Sequence, residues 1–475
     1  MNGSARLMRL CLLFLPTLGF FQAKGDVLNV GYVTEEATNV DPAKTSNYES
    51  VFVMKQISQS LVEENRYGSI VPGVARYWTI SADMKTYHFY IQPGIQFHNH
   101  EKMTAYDVEF SLNLIKSSIA NPISFYLKKI SKIRVLDENH VAIELESPWL
   151  GFLQCLSSGL VPILSRQAYI AKGQMLGSGS YKIVKNEKST LLVPFEKYKG
   201  NYPPKDISFR LLTKKDNETA DIVLGKFSSN ISSQYKKTEI DSFITYVFVV
   251  NPNNKSWRSR SSRLYLARVM LEAKKIITSG SLRDLVDIIP NGMLGHDMAG
   301  DSYFKLVNES EKVDLQLLNG RKVVVGSYGP LPKFKEFSKF MKSTYNIDVV
   351  NKTVNGSLHF SKMRSMTDVD FFAVGWASVF SHPDGALLPY YQIGIQKYGP
   401  EIATLLQEKD RALTLPAQYV SYRKLTSILI RDGYMVPHAQ QITGVFTRSG
   451  VHVPMYRYRY TMQLSEIKQG VDSHD

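Results

Sequence analysis

Residues 74–119, VARYWTISADMKTYHFYIQPGIQFHNHEKMTAYDVEFSLNLIKSSI, restrict this chain's fold more than any other stretch. Apolar and polar residues alternate from Thr86 to Ile91, which predicts a half-buried strand. Pro93-Gly94 then predicts a turn, and Ile95 and Phe97 a second short strand. Thr104 and Asp107 stand three apart, as the two partners of a capping box do. Val108, Leu112, Ile115 and Ile119 follow at helical spacing. Strands therefore feed directly into an amphipathic helix. Strand-like and helical segments continue to alternate irregularly along the chain, as in an α/β or α+β assembly.

At 475 residues the chain is long enough for two or three domains with sizeable cores. Its 44% hydrophobic and 21% charged residues are those of a globular protein. FITYVFVV (Phe243–Val250) predicts a buried strand, being short and rich in β-branched and aromatic residues. Twenty-seven tyrosines supply apolar surface that also carries hydrogen-bonding groups.

The first 25 residues have the layout of a cleavable export signal: Arg6 and Arg9, an apolar run from Leu10 to Phe21, then the small residues Ala23 and Gly25. The run is too short to span a bilayer, which takes ~20 residues. Cys11 opens the apolar run instead of closing it, so lipid attachment is not expected. Export predicts a soluble periplasmic protein. Beyond the signal Cys155 is the sole cysteine and sits among apolar residues, so we expect it to pack and no disulfide to form within the chain. The formal charge of +14 favours anionic partners. Its densest cluster, Arg258–Arg263, reads as a solvated helix start, and MYRYRY (Met455–Tyr460) as a half-exposed strand, so nucleic acid is not an expected partner.

The ordered set centred on FHNHEKMTAYDV closely resembles the extracytoplasmic oligopeptide-binding proteins of ABC importers, solute-binding family 5. Other segments resemble the same family in the same order: LNVGYVTEEATNVDPAKTSNYESVFVMKQISQSLVEENRYGSIVPGVARYW, IRVLDENHVAIELESP, LGSGSYKIV and DVDFFAVGWA. The resemblance implies a two-lobed periplasmic binding protein fold with an additional inserted domain. Carried onto this chain, residues 26–50, 176–250 and 445–475 form the first lobe, 51–175 the inserted domain and 251–444 the second lobe. It implies capture of an oligopeptide or peptide-like ligand in the interlobe cleft and delivery to an inner-membrane ABC permease, by a monomer with no cofactor and no catalysis.

The resemblance also places candidate ligand contacts. In such proteins the residues after Gly-Trp commonly include an aspartate that pairs with the ligand's α-ammonium group. Here Trp376 is followed by Ala377, Ser378 and Val379, and Val379 falls at the aspartate position. Asp384 is the nearest acid downstream. Trp376 could stack on the ligand or pack the core, Ser378 lies in the same segment, and Tyr48 could donate its hydroxyl to a ligand or cap a helix. The loss of an amine partner points also to blocked peptides or a non-peptide cargo such as a nickel or haem complex. Outside the class, the alternatives are a secreted hydrolase or a binding protein turned chaperone or adhesin.

Motifs of other chemistries are weak. His98 and His100 could face one metal from a strand, but no further ligand is placed by sequence, and the resemblance assigns them to a structural turn. The HExxH-like string at His100 has Thr104 at its second histidine position. The glycines of Gly177–Ser180 lack the spacing of a nucleophile elbow or phosphate loop, and close packing explains them better.

Overall fold

The computed structural model describes residues 26–32, 40–44, 48–185, 190–203, 205, 207–212, 219–226, 234–277, 282–354, 359–454 and 462–469, without the side chains of 26, 32, 48, 49, 185, 226, 240, 241 and 359. The signal-like residues 1–25 and the expected strand at 455–460 lie outside it.

Two long strands organise the chain. Lys236–Val250, which contains the expected FITYVFVV strand, pairs antiparallel with Met435–Thr447 from Lys236↔Thr447 to Val249↔Met435. The ladder is interrupted between Asp241 and Thr245, and at that break the neighbours change. Beyond it, Ile244–Val250 pair with strand Phe371–Ala377, which is parallel to Lys322–Ser327, itself parallel to Asp348–Thr353. On the other side, Met435–Thr447 pairs with Ile222–Lys226, which leads through Asp26–Tyr32 to Ile207–Leu211, Thr190–Pro194 and Tyr181–Lys185. The eleven-stranded sheet is thus two partly parallel halves joined through two shared strands.

The halves bury separate cores. One gathers Leu28, Val30, Phe52, Ile57, Phe209, Leu224 and Val445. The other collects Val247, Phe248, Leu266, Met270, Val325, Phe371, Leu387, Leu429 and Val436. A third body is a four-stranded antiparallel sheet in the order Ala75–Ile80, Thr86–Ile91, His140–Leu145, Ile130–Asp137. Tyr87, Phe89 and Ile91 point into its core and Thr86, His88 and Tyr90 away, as the alternation predicts.

Helix Ala105–Ser117 buries Val108, Leu112 and Ile115 in this third core. Asp107 Oδ2 accepts from the Thr104 backbone N–H at 2.9 Å and from its hydroxyl at 3.0 Å, while Oδ1 accepts from Arg166 N–H at 2.9 Å. One carboxylate therefore fixes the starts of two helices.

Three local expectations need correction. Ile95 and Phe97 are buried but form no strand; only an isolated bridge joins Gln96 to Lys102, because the chain turns back at once through His100, whose φ is 69°. Ile119 lies past the helix end and is 77% exposed, since Ser118 already turns away in extended backbone. Arg263 is not solvated: it sits 3.7 Å from the Tyr434 ring centroid and donates to the Asp432 carbonyl at 2.7 Å, so its charge is buried with partners. Cys155 is fully buried, as expected, and burial pushes its thiol pKa well up.

Candidate functional site

The third body meets the half of the sheet that holds strand Phe371–Ala377 along residues 376–391. Strand Phe371–Ala377 ends in Trp376, and the chain then crosses to the third core, where Phe380 and Leu388 are buried. Ser158 donates to the Val379 carbonyl at 2.6 Å, and Ser381 to Glu64 at 2.6 Å. His382 caps helix Pro383–Ile393: its Nδ1 accepts from the Asp384 N–H at 3.3 Å, which leaves Nε2 to donate to Gln418 at 3.1 Å. Burial lowers the His382 pKa, in keeping with this neutral tautomer.

Asp384 is at the centre of a buried polar network. Only 1% exposed, its Oδ1 faces Lys409 Nζ at 2.8 Å and its Oδ2 accepts from Trp149 Nε1 at 2.8 Å. Its backbone carbonyl accepts from the Tyr126 hydroxyl at 2.5 Å. Burial alone would raise its pKa, but the Lys409 ammonium and then His382 outweigh that and hold the carboxyl well below its usual range. Lys409 is held charged, against the pull of burial, by the same carboxylate. Asp384 therefore already has an ammonium partner from within the chain.

Beside this junction lies a cavity of 640 Å³. Residues 116–122, 124, 125 and 128 line one side, and 360, 361, 364, 376 and 392 the other. Trp376 is half-buried in its wall. Its Nε1 donates to the Gly385 carbonyl at 2.8 Å, and its ring meets Phe360 edge-on at 5.5 Å. The ring packs into both neighbouring cores and also lines the cavity.

The other candidate residues are dispersed. Ser378 is 6% exposed and donates its hydroxyl to the Phe380 carbonyl at 2.7 Å, which fixes the turn after the strand. Tyr48 opens helix Tyr48–Ile57, and its side chain is outside the described residues. His98 hydrogen-bonds through Nε2 to the Gly179 carbonyl at 3.0 Å, whereas His100 is exposed beside Glu196 at 3.9 Å. Burial lowers the His98 pKa to about 4. Among the described residues no group of three or more His, Cys, Asp or Glu side chains is placed to hold a metal.

Gly177 and Gly179 serve close packing: a Cβ on either would stand 2.2 or 2.3 Å from the Ile57 backbone. No helix among the described residues is long and apolar enough to cross a membrane.

Residues invisible to motif reading carry the network, namely Tyr126, Trp149, His382 and Lys409. One signal did exist. Ile402, Leu405 and Lys409 share the buried stripe of helix Pro400–Arg411, and a lysine on such a stripe requires a carboxylate opposite.

Comparison with known proteins agrees with this architecture. Residues 69–263 match the family model described as bacterial extracellular solute-binding proteins, family 5 middle. The periplasmic murein peptide-binding protein MppA of Escherichia coli K12 is 24% identical over 199 residues, 36% of this chain and 37% of MppA. The glutathione-binding protein GsiB of Pectobacterium atrosepticum is 28% identical over 185 residues, 38% of this chain and 35% of GsiB. These matches thus span about a third of the relatives' length. The solved structure of the ABC transporter-associated periplasmic binding protein DppA from Helicobacter pylori, in complex with peptide STSA, superposes with a TM-score of 0.74. That superposition covers 94% of this chain and 99% of DppA at 18% identity. The fold is the two-lobed one of periplasmic binding proteins.

Proposed function

We propose that the chain, whose residues 69–263 match the bacterial extracellular solute-binding proteins of family 5, captures a peptide or peptide-like ligand between its lobes and passes it unchanged to an ABC permease. The observation that carries this reading is the 640 Å³ cavity between residues 116–128 and 360–392, where the inserted domain faces the second lobe, walled by Trp376 and Phe360. Its volume falls in the range of small-molecule sites, and a junction between bodies is where such sites form. Closure about the two shared strands would let ligand contacts favour one arrangement of the lobes over another.

Residues 26–50, 176–250 and 445–475 are read as the first lobe, 51–175 as the inserted domain and 251–444 as the second lobe. The cores follow this division except at its edges: Phe52 and Ile57 pack with the first lobe, Val247 and Phe248 with the second, and Phe380 and Leu388 reach from the second lobe into the inserted domain. Export through residues 1–25 to the periplasm, action as a monomer and the absence of a covalent step belong to the same proposal.

Asp384, enclosed with Lys409, is the poorer candidate for a ligand-amine partner, and Val379 carries no charge. Trp376 is therefore the ligand contact we favour. Native mass spectrometry of protein purified from its source organism tests the capture role. A heterogeneous series of peptide masses supports it, and a single metal-bearing adduct would replace it with a non-peptide cargo.

A further inference from the structure

The charged residues described around this cavity are all of one sign. Lys116, Lys128 and Arg364 all line it, from opposite sides, and no Asp or Glu is among its described lining residues. Lys116 donates one hydrogen bond to the Ile130 carbonyl at 2.6 Å, which anchors its ammonium and leaves other hydrogens to donate. Lys128 and Arg364 have no carboxylate partner among the described residues. The nearby acids are already engaged: Asp384 with Lys409, and Asp410 with Lys409 at 2.6 Å and Lys129 at 3.8 Å. The rest of the wall is aromatic, with Phe125, Phe360 and Trp376.

We infer that this cavity selects an acidic ligand: a short peptide or peptide-like acid whose carboxylates lie among Lys116, Lys128 and Arg364 while an apolar portion rests on the aromatic wall. The inference rests on the capture reading above and adds the charge class of the cargo. Three like charges lining one cavity repel one another, and closing it removes water that screens them. A carboxylate entering the cavity relieves that repulsion and accepts charge-assisted hydrogen bonds, bidentate from the guanidinium. A ligand ammonium meets the same field with the opposite sign.

Calorimetry on the full chain at low salt, with the tripeptides Ala-Glu-Glu, Ala-Ala-Ala and Ala-Lys-Lys, provides the test. We expect Ala-Glu-Glu to bind at least ~10-fold more tightly than Ala-Ala-Ala, since one charge-assisted hydrogen bond corresponds to about a tenfold factor or more. Ala-Lys-Lys should be the weakest, and the gap should shrink as salt is raised. The K128Q/R364Q double variant, altered at two exposed positions, should bring Ala-Glu-Glu close to the neutral peptide. Equal affinities across the series in the unmodified protein, or a preference for Ala-Lys-Lys, overturn the inference and leave the capture reading standing. So does a folded K128Q/R364Q variant with an undiminished preference for Ala-Glu-Glu. Binding of none of the three peptides or of longer homologues overturns the capture reading and the inference together.

Discussion

Replacing Lys409 by methionine isolates the most consequential buried interaction in the molecule. The substitution nearly preserves volume but removes the cation 2.8 Å from Asp384 Oδ1. Asp384 then remains 1% exposed, with Trp149 Nε1 donating to it at 2.8 Å and the Tyr391 hydroxyl at 3.5 Å. A buried charge stripped of its counter-ion typically costs ~3–5 kcal/mol. We therefore expect K409M to lower the unfolding free energy at pH 7 by about that amount, in the transition that reports the second lobe. The loss should shrink on mild acidification, because an unpaired buried carboxyl has a raised pKa and escapes by protonating. The double variant D384N/K409M should recover part of the loss, since the uncompensated charge is gone. Urea unfolding followed by circular dichroism at pH 7 and pH 5 reads all three. A K409M loss below ~1 kcal/mol, or a double variant less stable than K409M, would refute the assignment of this pair as a buried, mutually dependent unit.

Other outcomes follow from the same geometry. G179A should destabilise by ~2 kcal/mol or more, because the new Cβ meets the backbone of Gln56, Ile57 and Ser58 within 2.4 Å; a thermal melt unchanged from the parent contradicts this. Burial lowers the pKa of both His98 and His438 to about 4 from 6.5, so each is neutral when folded but takes up a proton when unfolded. Stability from these two should be complete above the unfolded value and fall between pH 6.5 and about 4, by up to ~3 kcal/mol each at ~1.4 kcal/mol per unit. H98Q should flatten that slope in denaturation curves taken across the window, and an unaltered slope counts against it. Acetylating the amine of a bound peptide should change its dissociation constant by less than about tenfold, below the ~1.4 kcal/mol that a single charged contact would supply. A loss of a hundredfold in titration would reveal an acidic partner for the amine.

Much of the architecture was legible because it rests on local patterns. The alternation at Thr86–Ile91, the Thr104–Asp107 step and the apolar run at Phe243–Val250 each predict an element that is present. Ile119 misled because helical spacing continues past a helix whose end is set by Ser118, a backbone event with no apolar signature. Arg263 misled for a different reason: a cluster of arginines reads as solvated unless the facing ring, here Tyr434 from a distant segment, is known. The site was the least legible part. Trp376 and its segment could be singled out from the strand ending in Gly-Trp, but Asp384 gained its meaning only through Lys409, 25 residues on, and Trp149, 235 residues back. The cationic lining likewise joins Lys116 and Lys128 to Arg364 across two bodies, a proximity created only by folding.

Non-covalent retention of a peptide that is later recovered intact is the account's central claim. Titration calorimetry with an equimolar pool of di- to pentapeptides, followed by mass analysis of what the denatured complex releases, measures it directly. The predicted result is saturable binding near one ligand per chain, with released peptides of unaltered mass. Peptides that emerge cleaved, or a protein that retains none of the pool, would contradict it.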